Sequence, residues 1–172
     1  MSLLVIGINH KSAPLAIRER VNFAPEQMND ALADALASAP IEEIAILSTC
    51  NRTEIFAIAG AESDGHSHLL QWLGNYHQMT LDELRECTYV LREQHALQHM
   101  MQVASGLDSM ILGEPQILGQ MKSAYAVAAH SGSIASELGR IFPQVFNIAK
   151  RVRTDTAIGE NPVSVEIGRA HV

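Results

Sequence analysis

The side chain best suited to covalent chemistry in this sequence is Cys50, which stands in a polar stretch close to Arg52. Branched and aliphatic residues at 41–47 and 54–59 predict two strands, so the cysteine is expected at a strand edge or in a turn. A nearby cation favours the thiolate, which is the form that attacks a carbonyl carbon. A small buried structural cysteine is the alternative for a lone thiol, and the residue types alone leave it open.

Other side chains have spacings that would assist such a nucleophile. Pro115 suits the first turn of a helix, which places Gln116 and Gln120 on one face, where they could bond a polar substrate together. Solvated helix surface is the alternative for this pair. The guanidinium of Arg52 can hold a carboxylate through two parallel hydrogen bonds, and a surface salt bridge is its alternative.

Histidine supplies a candidate proton carrier. His95 and His99 lie one helical turn apart and could bind a metal by spacing alone, but no third ligand and no HExxH pattern accompany them. We therefore expect no metal and assign His99 as an acid or base, with an ordinary histidine on a partly buried helix as the alternative. His66 and His68, in a polar loop, are expected to be solvated.

Composition places these residues in an ordinary globular protein. The 172 residues are 47% hydrophobic and 18% charged, enough for one domain and the start of a second. No apolar run reaches the roughly 18 residues of a membrane helix, which predicts a cytoplasmic location and no membrane partner. Cys50 and Cys87 form no CxxC pair, so free thiols are expected. A net charge of −7 disfavours non-specific binding to long nucleic acid but allows a local basic face.

Hydrophobic patterning predicts an α+β domain in which a small mixed or antiparallel sheet packs with helices. Strands are predicted at 3–8, 41–47, 54–59 and 87–91, and helices at 16–21, 25–38, from 69, from 80, 96–106, 116–130 and 134–154. The segment 106–115 contains glycine and proline and is predicted to be a loop. Such loops often present site residues from a rigid scaffold.

Several blocks of the sequence resemble one enzyme family. Residues 48–54 read Ser-Thr-Cys-Asn-Arg-Thr-Glu, the signature of glutamyl-tRNA reductases without a substitution. Residues 104–120 form a second block typical of that family. The opening 7–14 and the late 149–154 are also similar, so the resemblance covers about residues 1–165.

The resemblance implies an enzyme in which Cys50 attacks the glutamyl ester of tRNA and forms a thioester. NADPH then reduces the thioester to glutamate-1-semialdehyde, at the first step of tetrapyrrole and 5-aminolevulinate synthesis. It also implies that His99 is the assisting acid or base, and that the glutamyl pocket is lined by Thr49, Asn51, Arg52, Ser109, Glu114, Pro115, Gln116 and Gln120. A cysteine-dependent hydrolase or acyltransferase for another acyl donor, and a non-enzymatic tRNA-binding module, are the rival classes.

The same resemblance implies parts that this chain lacks. NADPH is held by a Rossmann-type domain, and a helical domain that forms a homodimer follows it, but no GxGxxG occurs in this sequence. We expect the late helices to lead to that missing domain, and the complete enzyme to hand its product to the aminomutase that uses glutamate-1-semialdehyde. Basic side chains that could meet tRNA phosphates are Lys11, Arg18, Arg20, Lys150, Arg151 and Arg153.

The expected organisation is a catalytic amino-terminal domain at 1–156, the start of a linker at 157–165 and a non-native tail at 166–172. The tail, Glu-Ile-Gly-Arg-Ala-His-Val, departs from the family. It is what GAGATCGGAAGAGCACACGTC encodes, a common sequencing-adapter read, so we hypothesise a truncated gene model carrying adapter sequence. The same codons in independently amplified genomic DNA would contradict this hypothesis.

Overall fold

A four-stranded antiparallel sheet organises residues 1–156, which are the residues that the computed structural model describes. The strands are β1 (Ser2–Asn9), β2 (Ile41–Ser48), β3 (Arg52–Ala59) and β4 (Tyr89–Arg92), in the spatial order β2-β3-β1-β4. The helices are α1 (Leu15–Arg20), α2 (Met28–Ser38), α3 (Gly65–His77), α4 (Leu81–Cys87), α5 (Glu93–Ala104), α6 (Gln116–His130) and α7 (Ser136–Asp155). The predicted α+β class, with a small antiparallel sheet packed with helices, is confirmed.

The element boundaries differ from the predicted ones where tertiary pairing extends or shortens them. The strand predicted at 54–59 begins at Arg52, because Arg52 and Thr53 pair with the end of β1. The helix predicted to contain Pro115 in its first turn begins at Gln116, with Pro115 as the residue before it. The expected linker and tail lie outside the described residues. Within residues 1–156, no helix combines the length and the apolar character needed to cross a bilayer.

The register of the central strands brings polar side chains into an otherwise apolar sheet. Every residue of β3 is buried, and the side chains of Arg52 and Glu54, two residues apart, lie on the same face. Gly7 of β1 lies opposite Glu54 on one side and Tyr89 on the other. A Cβ at Gly7 would lie 2.5 Å from the ring of Tyr89, so only glycine lets that ring cross β1 towards Glu54.

A buried carboxylate on β2 fixes the beginning of α7. Glu43 is 2% exposed, and its two oxygens accept hydrogen bonds from the backbone N–H groups of Ala135 at 2.6 Å, Leu138 at 3.0 Å and Glu137 at 3.1 Å. The first N–H groups of a helix have no partner within the helix, and they favour a negative charge. Glu43 supplies both the hydrogen-bond acceptors and the negative charge, so α7 is anchored to the sheet.

Replacing this carboxylate tests how much the anchor stabilises the domain. We expect Glu43→Gln to lower the free energy of unfolding by about 1–3 kcal/mol, because an amide cannot accept hydrogen bonds through both of its polar atoms. Urea unfolding would measure the loss. The exposed neighbour Glu42→Gln is the matched control and should stay within about 0.5 kcal/mol of the unsubstituted chain. Equal stability of the two variants would contradict the anchoring role.

Candidate active site

The turn between β2 and β3 presents Cys50. The Thr49 N–H donates to the Arg52 carbonyl at 2.8 Å, and the Thr49 hydroxyl oxygen accepts from the N–H groups of Asn51 at 3.1 Å and Arg52 at 3.2 Å. A threonine that bonds the backbone two and three residues ahead fixes a tight turn. Cys50 is exposed with a free thiol, whereas the free thiol of Cys87 is buried. The turn therefore holds the accessible cysteine in a defined position.

A small cavity of about 60 Å³ opens beside Cys50. It lies between the β2–β3 turn, the loop after α5 and the first turns of α6. Every residue that the family resemblance assigned to the glutamyl pocket lines it except Pro115, which instead precedes the first residue of α6. The lining residues are Thr49, Cys50, Asn51, Arg52, Ser109, Met110, Glu114, Gln116, Ile117 and Gln120. The fold thus brings together two groups of residues that are far apart in sequence.

Arg52 lies in a buried ion-pair network. Its side chain is 2% exposed, with Nη1 donating to the Glu54 carboxylate at 3.3 Å and Nη2 donating to the Asp108 carboxylate at 3.0 Å. Nη2 also donates to the Asp108 backbone carbonyl at 2.6 Å. Lys11 binds the other oxygen of the Asp108 carboxylate at 3.1 Å, so two cations face two carboxylates. A substrate carboxylate would share the guanidinium with these partners.

Glu54 is the fully buried centre of this network. One oxygen of its carboxylate accepts hydrogen bonds from the Tyr89 hydroxyl and His99 Nε2 and contacts Arg52. Burial alone would raise the pKa of Glu54, but the hydrogen bond and charge of His99, the charge of Arg52 and the Tyr89 hydroxyl together lower it below the usual value. Burial and the Glu54 charge raise the pKa of Tyr89, which keeps that hydroxyl protonated as a donor.

His99 lies outside the cavity that contains Cys50. It lines a separate cleft of about 270 Å³ together with Lys11, Tyr89 and Asp108. Its contact with the cysteine turn runs through Glu54 and Arg52, in that order. The assignment of His99 as an acid or base stays a prediction. In the structure, the His99 ring is hydrogen-bonded to Glu54, which in turn pairs with Arg52.

The loop between α5 and α6 is closed at its base and held by α7. Gly106 has a φ of 81°, and its carbonyl accepts from the N–H of Gly113 at 2.9 Å. Arg153, in the last turn of α7, donates to the carbonyl groups of Ala104, Gly113 and Glu114. One guanidinium thus binds both ends of the loop that carries Ser109 and Glu114.

Sequence reasoning named neither the inner partners of Arg52 nor the role of Arg153 in the loop. Glu54 stands inside the signature at 48–54 and Asp108 inside the block at 104–120, so these motifs contained a signal for both. Tyr89 had no such signal, because only strand register brings it to Glu54. Within residues 1–156, no group of three or more histidine, cysteine, aspartate or glutamate side chains is placed to hold a metal ion.

Removing the Arg153 guanidinium should loosen the loop. We expect Arg153→Met to speed backbone amide exchange across 106–114 by about tenfold or more, because the variant loses three hydrogen bonds from a charged donor. Hydrogen–deuterium exchange read by mass spectrometry would measure this. The exposed Arg151→Met, from the same helical turn, should exchange like the unsubstituted chain. Unchanged exchange in Arg153→Met would show that the loop is ordered without the Arg153 hydrogen bonds.

The depressed pKa of Glu54 predicts how stability depends on pH. A carboxyl group whose folded pKa lies below its unfolded value of about 4.5 stabilises the fold above that pH, and the contribution is lost as pH falls through the folded pKa. We expect Glu54→Gln to be less stable at pH 7 and to lose less stability on acidification than the unsubstituted chain. Urea unfolding at pH 7 and near pH 4 gives the comparison, with exposed Glu62→Gln as control. Parallel acid losses in all three proteins would exclude this role.

Comparison with known proteins agrees with the geometry. The family model described as glutamyl-tRNAGlu reductase, N-terminal domain, matches residues 6–156. Among curated proteins, the glutamyl-tRNA reductase of Hahella chejuensis is 56% identical over 165 residues, and that of Pseudomonas aeruginosa is 57% identical over 165 residues. Each alignment covers 96% of this chain and 39% of the relative, so the chain spans about two fifths of their length.

A solved structure shows the same fold. The glutamyl-tRNA reductase from Methanopyrus kandleri superposes with a TM-score of 0.72 at 32% identity, covering 90% of this chain and 35% of that chain. On the agreement of fold, signature turn and family model, the chain belongs to the glutamyl-tRNA reductase family, as its amino-terminal domain.

Proposed function

We propose that Cys50 accepts the glutamyl group from glutamyl-tRNA as a thioester. The observation that carries the proposal is the shared cavity, in which an accessible cysteine meets seven of the eight residues expected to bind the glutamyl group. The names of the relatives support the same substrate class. Residues 1–156 would then be the catalytic part of a longer reductase.

The acyl transfer needs one bond to form and one to break. The Cys50 thiolate attacks the carbonyl carbon of the ester that joins glutamate to the terminal ribose, and the C–S bond forms. The bond between the carbonyl carbon and the ribose oxygen breaks. The ribose oxygen leaves as a hydroxyl after it takes the proton that the thiol has lost. Arg52 lines the same cavity as Cys50 and contributes a positive charge to it.

The remaining lining residues match the groups of a glutamyl substrate. The Ser109 hydroxyl and the Gln116 and Gln120 amides can donate to its side-chain carboxylate, alongside Arg52, and Glu114 can accept from its ammonium group. Pro115 acts on shape, because it has helical backbone angles and directs the following residue into the cavity. His99 is the acid or base that the family resemblance implies; it lies in the neighbouring cleft and connects to Arg52 through Glu54.

Reduction of the thioester is proposed for the rest of the longer protein. The described sheet is antiparallel throughout and the sequence has no GxGxxG, so residues 1–156 do not form a Rossmann-type cofactor site. We propose that the complete, cytoplasmic enzyme uses NADPH to release glutamate-1-semialdehyde, forms a homodimer through a carboxy-terminal helical domain and passes its product to the aminomutase.

Intact-mass analysis with charged tRNA tests the nucleophile directly. The mass of the unsubstituted chain should increase by one glutamyl group, and the mass of Cys50→Ser should not. Cys87→Ser should be labelled like the unsubstituted chain, because Cys87 is buried. The thioester on the labelled protein should hydrolyse slowly, since water replaces the absent reductant.

Two further outcomes separate the rival classes. Labelling that survives ribonuclease treatment of the charged tRNA would indicate an acyltransferase or hydrolase for another donor. Equal labelling of Cys50→Ser and the unsubstituted chain would contradict the proposal. In that case, retained tRNA affinity in Cys50→Ala would favour a binding module.

A further inference from the structure

Cys50 also faces a second, larger opening. This opening, the α1 cleft, has a volume of about 460 Å³ and shares only Thr49 and Cys50 with the small cavity. Its lining residues are Leu15, Arg18, Glu19, Asn22, Phe23, Pro25, Ser48, Thr49 and Cys50. The reactive cysteine therefore borders two separate spaces of very different size.

An ester substrate needs two such spaces. Its acyl part and its alcohol part meet at the carbonyl carbon, so both must reach Cys50 from different directions. At about 60 Å³ the small cavity is too small for a nucleotide, while about 460 Å³ lies within the ~300–1,000 Å³ typical of ligand pockets. We propose that the α1 cleft binds the 3′-terminal adenosine nucleotide of the tRNA, an inference that rests on the proposed acyl transfer.

The arginine in the cleft can bind a phosphate. The Arg18 side chain makes no hydrogen bond or ion pair with any of residues 1–156, and its Nε is buried without a partner. Arg20, on the same short helix, binds Glu83 at 3.3 Å. Guanidinium groups bind phosphate oxygens through paired N–H donors. Of these two arginines, Arg18 is the one that lines the cleft with Cys50 and makes no hydrogen bond or ion pair within residues 1–156.

The rest of the cleft suits a nucleoside. Leu15 is 53% exposed and forms an apolar wall with Pro25, against which a purine can pack. Asn22 uses its amide oxygen to accept from Ser48 at 2.7 Å, which leaves its NH₂ group to donate to a base or ribose. Glu19, also in the lining, can accept from ribose hydroxyls or an exocyclic amine.

Ser48 holds the segment after α1 next to Cys50. Its hydroxyl oxygen accepts from the Phe23 N–H at 2.9 Å, and the same hydroxyl donates to Asn22, so the segment after α1 is tied to the end of β2 next to the Cys50 turn. A larger cavity of about 550 Å³ lies between α2 and α6, but it includes neither Cys50 nor a charged side chain. The α1 cleft is therefore the better match for a nucleotide bonded to the acyl group.

Binding of deacylated acceptor-stem hairpins tests the cleft without any acyl transfer. A hairpin ending in CCA should bind the unsubstituted chain about tenfold more tightly than one ending in CC, measured by fluorescence anisotropy. Arg18→Gln should weaken the CCA hairpin about three- to tenfold and leave the CC hairpin unchanged. It should also reduce the slope of log affinity against log salt by about 0.7, the value for one phosphate of a single strand.

Arg140→Gln is the control, because Arg140 is an exposed arginine that is paired with Glu137 at 3.0 Å and does not line the cleft. This variant should bind both hairpins like the unsubstituted chain. Equal binding of the two hairpins by the unsubstituted chain would overturn the proposal. So would an Arg18→Gln variant that weakens both hairpins equally, because that pattern indicates a structural or non-specific effect.

A labelling experiment separates this proposal from the proposed nucleophile. Cys50 is labelled either by glutamyl-tRNA or by the α-methyl thioester of glutamate, a donor without a nucleotide. Arg18→Gln should lower the rate of labelling by glutamyl-tRNA about tenfold relative to the rate of labelling by the thioester. An unchanged ratio of these two rates would overturn the cleft assignment. Absence of labelling from both donors would overturn the nucleophile, and the hairpin comparison would still decide the cleft.

Discussion

The buried carboxylate of Glu54 is the interaction on which the site depends. It lies on β3 and gathers donors from three places, Tyr89 on β4, His99 on α5 and Arg52 on its own strand. A buried charge costs several kcal/mol unless it is paired and hydrogen-bonded, so loss of any donor leaves a strong penalty. This requirement joins two strands and a helix at one point, and it fixes where Arg52 lies.

From Arg52, the same network extends to the loop that faces the cysteine turn. Asp108 accepts from Arg52 and is shared with Lys11, so the loop is tied to the sheet through charge. Burial would raise the pKa of Asp108, but the hydrogen bonds from Lys11 and Arg52 lower it, which keeps the carboxylate ionised. The acyl cavity therefore has one wall on the β2–β3 turn and the other on a loop that this ion pair holds in place.

Helix α7 supports both walls from outside the site. Glu43 anchors its first turn to β2, and Arg153 in its last turn binds the carbonyl groups at the two ends of the loop. Helix α5 packs against α7 and β1, and its His99 reaches Glu54 of the sheet. Helix α7 is fixed at its first turn by Glu43 and binds the loop through Arg153 in its last turn, which gives the loop a defined position.

Most of the elements, the turn that carries Cys50 and most residues that line the small cavity can be predicted from the sequence, because periodicity and turn chemistry are local and the family signature is contiguous. The partners of each charge cannot be predicted in this way. Arg52 is buried between carboxylates, His99 lies in a neighbouring cleft, and Arg18 lacks the partner that Arg20 has. These outcomes depend on strand register and on packing between distant segments, and neither has a local signal in a single sequence.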